Sequence, residues 1–375
     1  MVEGVGLTDF GRFPEVDLAD LGAAAAGEAI ADAALEVRDV DAVWCGNVLG
    51  GGSAGQRTVS KLGLVGIPVT NLENACASGS HAFAAAADAV RSGRVNTALV
   101  LGVEKTSGVL DGLINLPRTD LPTRLGLTLP GVYAMNASRY LWRYGATVEA
   151  LAAVSVKNRA NGARNPHAMF RSVVDLAQVL ASRPVADPLT LLQCCANADG
   201  AAAVVLRADR GGDGIEVLGC GVSSGYPLDA GYDLTTSRIT ARAAARAYQQ
   251  AAIGPGEIDV AEVHDAFTIG ELIALESLGL CPPGEAWKWT VEGRSATTGT
   301  MPVNPGGGLL SRGHAVGASG VAQIVELVSQ LRGCARNQVA HASRALAHTV
   351  GGGMATHDGV AAVVSLLARA GARHQ

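Results

Sequence analysis

Apolar positions along the chain fall into two rhythms. Over Leu18–Leu35 they recur at three- and four-residue steps, and the Ala-rich run Ala82–Val90 and the segment Thr147–Asn161 do the same, so all three predict helices. Ala42–Cys45, Pro68–Leu72 and Thr97–Leu101 are short runs containing β-branched residues and predict strands. Strands alternating with helices predict an α/β protein whose sheet is mostly parallel and carries helices on its faces.

The pattern occurs twice. RDVDAVWCGN (Arg38–Asn47) echoes GEIDVAEVHD (Gly256–Asp265), each after an Ala-rich helix. ACASGSHA (Ala75–Ala82) echoes VGASGVAQ (Val316–Gln323), each opening a helix. DGAAAVVL (Asp199–Leu206) echoes DGVAAVVS (Asp358–Ser365). The echoes keep their order, which predicts a duplicated unit with its halves meeting near residues 207–214. Between Glu104 and Asp199 lies an excursion without an equal in the second half, with prolines at 117, 122, 130, 166, 184 and 188. An insertion of this kind over an α/β core reads as a lid or binding region.

The length of 375 residues suits two domains, and a 48% apolar content is ample for their cores. A net charge of -5 with no basic block excludes nucleic acid or an anionic membrane as the main partner. The longest apolar stretch, Ala82–Val90, is too short to span a bilayer, and Met1–Pro14 does not read as a signal peptide. The seven cysteines (45, 76, 194, 195, 220, 281 and 334) are odd in number and lack CxxC spacing. Neither a disulfide framework nor a zinc site is expected, and a reduced, cytoplasmic protein is.

Four segments could carry chemistry. Cys76, in NLENACASGSHAF, follows a strand and precedes a helix among small residues, the setting of a nucleophile elbow. Helix-terminal N–H groups there would lower the thiol pKa and could hold an oxyanion. A small buried thiol at a helix start fits the same residues. His314, in NPGGGLLSRGHAVGASG, could deprotonate a thiol on the facing half or simply pack a Gly-rich turn. In EVHDAFTIGELIALESLGL, His264 and Asp265 end a strand; His264 could donate to a carbonyl and Asp265 could cap the following helix. In LAHTVGGGMATHDG, the run Gly351, Gly352, Gly353 suits backbone donors aimed at a substrate oxygen, or a tight turn. The remaining cysteines, Cys194 and Cys195 included, read as core filler.

Taken together and in this order, these segments resemble the thiolase superfamily across nearly the whole chain. ALVLGVEKTS (Ala98–Ser107), RYGATVEALAAVSVKNRANGARNPHA (Arg143–Ala168) and LLQCCANADGAAAVVL add to the likeness, and HDAFTIGELIALESLGL with GHAVGASG is most similar to the SCP2-like (lipid-transfer-protein) and archaeal-type branch. The resemblance implies a duplicated, five-layered αβαβα core with an inserted loop domain: an N-terminal half over 1–210, its loop domain at about 105–196, and a C-terminal half over 211–375. It implies that Cys76 takes the acyl group as a thioester and that His314 activates it. His264, where many thiolases carry Asn, would join His314 in an oxyanion hole. The N–H groups of Cys76 and Gly351 would form a second. Coenzyme A and acyl-CoA would be substrates, with no permanently bound cofactor and no metal. A homodimer or tetramer and a DUF35-type OB-fold partner are further implications.

Two departures bear on mechanism. The CxG turn of many thiolases reads Thr349-Val350-Gly351 here, and the HDCF cysteine of some SCP2-like members is Ala266, so the usual acid/base thiol is missing and His264, His314 or His348 would have to move that proton. Ala315 replaces the proline of the GHP motif, which would loosen the backbone at His314. The leading expectation is a thiolase-type acyl-CoA C-acyltransferase. A thiolase-fold retro-aldolase, an acyltransferase of secondary metabolism and a catalytically silent scaffold are the alternatives.

Overall fold

Asp17 starts the first helix by accepting a hydrogen bond from the Ala19 N–H at 2.8 Å, and small apolar residues then let that helix lie close on a sheet. The computed structural model describes residues 1–110, 112–114, 121–208, 214–227, 229, 231–352 and 357–371. Its first half runs β1 (Val2–Leu7), α1 (Leu18–Asp32), β2 (Ala42–Gly46), α2 (Ala54–Ser60), β3 (Val69–Leu72), α3 (Ser78–Arg91) and β4 (Thr97–Glu104). The excursion follows, with α4 (Leu121–Arg124), α5 (Leu129–Tyr144), α6 (Val148–Gly162), α7 (Leu176–Ala181) and a small hairpin of β5 (Pro184–Ala186) and β6 (Leu189–Thr190). The chain then returns to the core as β7 (Gly200–Arg207). The second half runs β8 (Ile215–Ser224), α8 (Arg238–Ala251), β9 (Val260–Glu262), α9 (Thr268–Ser277), α10 (Ala286–Val291), α11 (Gly308–Arg312), α12 (Ser319–Arg332), β10 (Arg344–Gly351) and β11 (Ala361–Arg369).

The strand order is β3-β2-β4-β7-β1-β8-β11-β10-β9. The first five strands form one half-sheet and the last four the other, and the pairing of Val2 with Ile215 joins them. The second half repeats the order of the first, because β8, β9, β10 and β11 stand where β1, β2, β4 and β7 stand. Even the place of β3 is marked, by a parallel bridge from Ala261 to Val303. The three sequence echoes fall on matched elements: β2 with β9, the entries of α3 and α12, and β7 with β11. The junction at 209–213, Pro117 and Gly353 lie outside the described residues.

The expectation of a mostly parallel sheet is corrected. Only β3-β2, β2-β4 and β10-β9 are parallel among the described pairs; the others are antiparallel. A parallel neighbour needs a crossover of a dozen residues or more. Residues 352–360 between β10 and β11 are too few for one, so that pair closes as a hairpin.

Three apolar clusters stack into five layers. One lies between α1, α2 and the outer face of the first half-sheet, and another between the second half-sheet and α8, α9 and the excursion helices. The third is central, where Ala82, Phe83 and Ala86 of α3 meet Val321, Ile324 and Val328 of α12 between the two half-sheets. Alanine and glycine dominate these contacts because helix and sheet backbones approach closely there. A Cβ on Gly79 would stand 2.4 Å from the Gly317 carbonyl oxygen. The N-termini of α3 and α12 are thereby brought together, one from each half.

Candidate active site

Cys76 sits at the sharp turn from β3 into α3. Ala75 just before it has φ +49, a left-handed conformation costly for a non-glycine residue. The turn is tied by Ser78 Oγ, which donates to the Ala75 carbonyl at 2.6 Å and accepts from the Asn74 N–H at 2.8 Å. The thiol emerges at the helix entrance, buried, with the N–H groups of Gly352 and of Cys76 itself aimed at the sulfur.

His314 arrives from the other half, at the entry to α12. Its Nε2 lies 3.2 Å from Cys76 Sγ and its Nδ1 lies 2.9 Å from Ser319 Oγ. Ser319 donates its own proton to the Ala315 carbonyl at 3.0 Å, so toward His314 it can only accept. The imidazole proton is therefore on Nδ1, and Nε2 offers a lone pair to the thiol. The Ala315 position does not loosen this histidine. The His314 N–H donates to the Ala196 carbonyl at 2.8 Å, and its carbonyl accepts from the Ala198 N–H at 3.2 Å. Those two bonds clamp the backbone that the missing proline ring would otherwise restrict.

The expected low thiol pKa is also corrected. Burial pushes Cys76 up to about 11, against the opposing pull of the two N–H groups. Burial, with the charges of His264 and Arg312, drives His314 well below its usual range. The resting pair is thus a neutral thiol and a neutral imidazole, poised to exchange a proton when a substrate carbonyl arrives.

His264 stands edge-on to His314, with ring centroids 5.3 Å apart at 76°. Burial lowers its pKa to about 4, and its Nδ1 has no hydrogen-bond partner. Ligand atoms of Cys76, His264 and His314 lie within 4.8 Å of one another, close enough for one soft metal ion as well as for one substrate oxygen. A cavity of about 400 Å³ opens over this trio, walled by Leu110, Leu129, Tyr133, Met169 and Phe267. Tyr133 stacks on Phe267 with centroids 4.4 Å apart. A second cavity of about 130 Å³ shares Leu129, Tyr133, His264 and Gly352 with the first and reaches His348, Thr240 and Asn136. The excursion supplies Leu129 and Tyr133 to both, as expected of a lid.

The glycine-rich segments prove largely structural. Asp265 does not cap α9, whose N-cap is Phe267. Its carboxylate instead receives the N–H groups of Leu309 and Leu310 at the start of α11, at 2.7 and 3.4 Å, and Asn158 Nδ2 at 2.7 Å. Gly308, at φ +59, permits this, since a Cβ there would sit 2.1 Å from Asp265 Oδ2. Burial raises Asp265 to about 7, with the Glu271 charge adding to it. The result fixes the loop that carries His264 against the segment leading to His314.

Gly351 plays a different part from the one expected. A Cβ on it would meet the Asn74 carbonyl at 2.5 Å and Ala75 Cβ at 3.2 Å, so its bare backbone seats the elbow. The N–H on the sulfur belongs to the next residue, Gly352. Thr349 turns into the central layer, where its hydroxyl meets Ser80 Oγ and Gln323 Oε1, and takes no part in the cavity. His348 rests on Thr240 Oγ1 at 3.0 Å, and burial lowers its pKa to about 3.

Several contributors had no motif to announce them. Glu104, raised to about 7 by burial, collects the N–H groups of Val48, Leu49 and Gly317, so it ties the first half-sheet to the α12 entry. Ser319 and Asn158 act through other residues, and only their partners' positions reveal them. Cys195, read as filler, lines the Cys76 cavity, whereas Cys194 turns away to the Thr190 carbonyl. No helix among the described residues is long and apolar enough to cross a membrane.

Comparison with known proteins matches residues 2–210 to the family described as thiolase, N-terminal domain, and residues 221–364 to thiolase C-terminal domain-like. The chain is 40% identical to the benzoylsuccinyl-CoA thiolase subunit BbsB of Thauera aromatica, over 94% of each chain. It is likewise 40% identical to an acetyl-CoA acetyltransferase of Methanothermobacter thermautotrophicus, over 94% of this chain and 96% of that one. With human sterol carrier protein 2 the identity is 34%, over 93% of this chain and 69% of the relative. Among solved structures, the Ltp2-ChsH2(DUF35) aldolase superposes with a TM-score of 0.85 at 25% identity, covering 98% of this chain and 97% of that one. Human mitochondrial 3-ketoacyl-CoA thiolase superposes at 0.73 and 18% identity, covering 98% of each, a likeness of fold.

Proposed function

The chain belongs to the thiolase family and is a thiolase-type acyltransferase, and we propose that Cys76 carries the acyl group, with His314 as its base and His264 as an oxyanion donor. The observation that carries this reading is the Ser319–His314–Cys76 relay, 2.9 and 3.2 Å long, which leaves an unprotonated nitrogen on a thiol at a helix entrance. In the cleavage direction the thiol proton passes to His314 Nε2 as sulfur attacks the keto carbon of a β-ketoacyl-CoA. The new oxyanion forms beside the N–H groups of Cys76 and Gly352. The bond to the α-carbon then breaks, and the departing enolate oxygen faces His264. Coenzyme A takes the acyl group from Cys76 in the second half of the cycle. The reverse sequence is condensation.

The larger cavity, which holds Cys76, receives the acyl group. Its apolar wall and the Tyr133–Phe267 stack suit an aromatic or branched acyl group better than acetyl. The chain acts in the cytoplasm, in lipid or aromatic-acid metabolism, as a homodimer or tetramer, and a DUF35-type partner is consistent with the aldolase complex whose fold it shares. That likeness also supports a second reading, aldol cleavage of a CoA thioester, which needs no acyl-cysteine.

Incubation with a panel of acyl-CoA thioesters followed by peptide mass mapping separates the two. A thioester on Cys76, absent in Cys76→Ser, is expected. Turnover without any adduct on Cys76 would favour the aldolase.

A further inference from the structure

Carbon–carbon cleavage leaves an enolate that must gain a proton, and at that moment His314 already holds the one it took from Cys76. A second proton carrier has to face the same space. The histidines suit it poorly. His264 and His348 are held neutral by burial, and His348 spends Nε2 on Thr240 in the neighbouring cavity.

The geometry points to Cys195 as that carrier, a second catalytic thiol that gives its proton to the α-carbon during cleavage and takes one from it during condensation. This assignment rests on the acyl-Cys76 reading above. Three observations support it. Cys195 lines the cavity that holds Cys76, His264 and His314, and it is one of only two thiols there among the described residues. Its backbone N–H donates to the Ala266 carbonyl at 2.8 Å, while Cys194 bridges Phe267, so the segment lies as a short strand along the loop that presents His264. Neighbouring residues on an extended chain face opposite ways. Cys194 is thus drawn to the Thr190 carbonyl at 3.3 Å, and Cys195 is left facing the cavity.

The electrostatics agree. Burial holds Cys195 well above the usual thiol range, and the charges of Asp265 and Cys76 add to this. The resting group is therefore a protonated thiol, the form an acid needs. In the cleavage step the Cys195 S–H bond breaks and a C–H bond forms at the α-carbon, leaving Cys195 as thiolate. His314 passes the proton it took from Cys76 to that thiolate; the incoming coenzyme A thiol then gives its own proton to His314 as its sulfur attacks acyl-Cys76, and Cys76 leaves by taking that proton from His314. Both thiols end the cycle protonated, and no oxidant or reductant is needed.

The test compares two reactions of the full-length enzyme. Acylation of Cys76 by acetyl-CoA or benzoyl-CoA involves no carbon acid, so Cys195→Ala and Cys195→Ser should acylate within about twofold of the parent. Exchange of α-hydrogens of acetyl-CoA or propionyl-CoA in D2O requires the carrier, and both variants should lose it by on the order of 100-fold or more. Serine keeps the packing volume, so a shared loss cannot come from a cavity. Ala266→Cys in the Cys195→Ala background, which puts a thiol on the paired backbone, should restore part of the exchange. Failure to acylate Cys76 in the parent overturns the acyl-enzyme reading. Normal acylation with exchange retained in Cys195→Ser, or with no exchange in the parent, overturns the role of Cys195 alone.

Discussion

Ser319 Oγ stands 2.9 Å from His314 Nδ1 with its own proton committed to the Ala315 carbonyl. One hydroxyl therefore sets which face of the imidazole is basic. Ser319 opens α12, so the element that builds the central layer also orients the base.

Replacing Ser319 with Ala should slow acylation of Cys76 by on the order of 10- to 100-fold, part of the roughly 10²- to 10⁴-fold that a positioned base supplies. Without an acceptor at Nδ1 the proton can move to Nε2, where it faces the thiol as a second donor. Single-turnover acylation, with melting temperature as the control for folding, reads this directly. An unchanged rate would show that Ser319 does not set the tautomer.

The neutral resting pair has a signature in pH. A thiol pushed up to about 11 is almost wholly protonated at pH 7, and its thiolate fraction grows tenfold with each unit of pH below that value. Alkylation of Cys76 by iodoacetamide, followed site by site, should therefore climb with unit slope from pH 7 to 10. A plateau between pH 6 and 8 would instead reveal a preformed thiolate–imidazolium pair.

The layered fold and its duplication were legible because they rest on period and order, which a sequence displays. Cys76, His264 and His314 were legible because each sits in a short, distinctive segment. What escaped was set by approach in three dimensions. The helix-entry motif at Cys76 suggested a low thiol pKa, but burial outweighs the two N–H groups on the sulfur. Asp265 seemed placed to cap the helix that follows it, yet it caps α11 some forty residues on, because Gly308 lets that backbone come nearer. Cys195 looked like filler since alternation along an irregular segment has no visible phase until its backbone partner, Ala266, is known.

The adjacent glycines Gly351 and Gly352, at the end of β10, should behave unequally. Gly351→Ala would press a Cβ to 2.5 Å from the Asn74 carbonyl, a backbone atom that cannot move without shifting the elbow. A loss of about 1–3 kcal/mol in stability is expected for such overpacking, together with loss of acylation. Among the described residues, a Cβ on Gly352 meets only Leu129 Cδ2, at 3.1 Å, and Gly352→Ala keeps the N–H that reaches the sulfur. It should fold normally and retain most activity. Denaturant unfolding and acyl labelling of both variants test the contrast, and equal behaviour would argue against a close seat for Gly351.

His264 offers the sharpest division between a chemical and a packing role. Its buried ring stands edge-on to His314, with Nδ1 unpaired beside the cavity. If the ring donates to the substrate carbonyl, His264→Ala removes one oxyanion donor, and losses of that kind run on the order of 100- to 1000-fold in rate. His264→Asn supplies a side-chain N–H from nearly the same place and should recover much of that loss. A packing role predicts otherwise: both variants would melt earlier, and each would acylate Cys76 at the parent rate per folded molecule. Acyl-enzyme formation and full turnover should be measured separately, because a donor serving only the enolate would leave acylation by a simple acyl-CoA intact while depressing cleavage. Parent-rate acylation and cleavage in His264→Ala would remove this histidine from the chemistry and leave Cys76, His314, Cys195 and the two N–H groups as the reacting set.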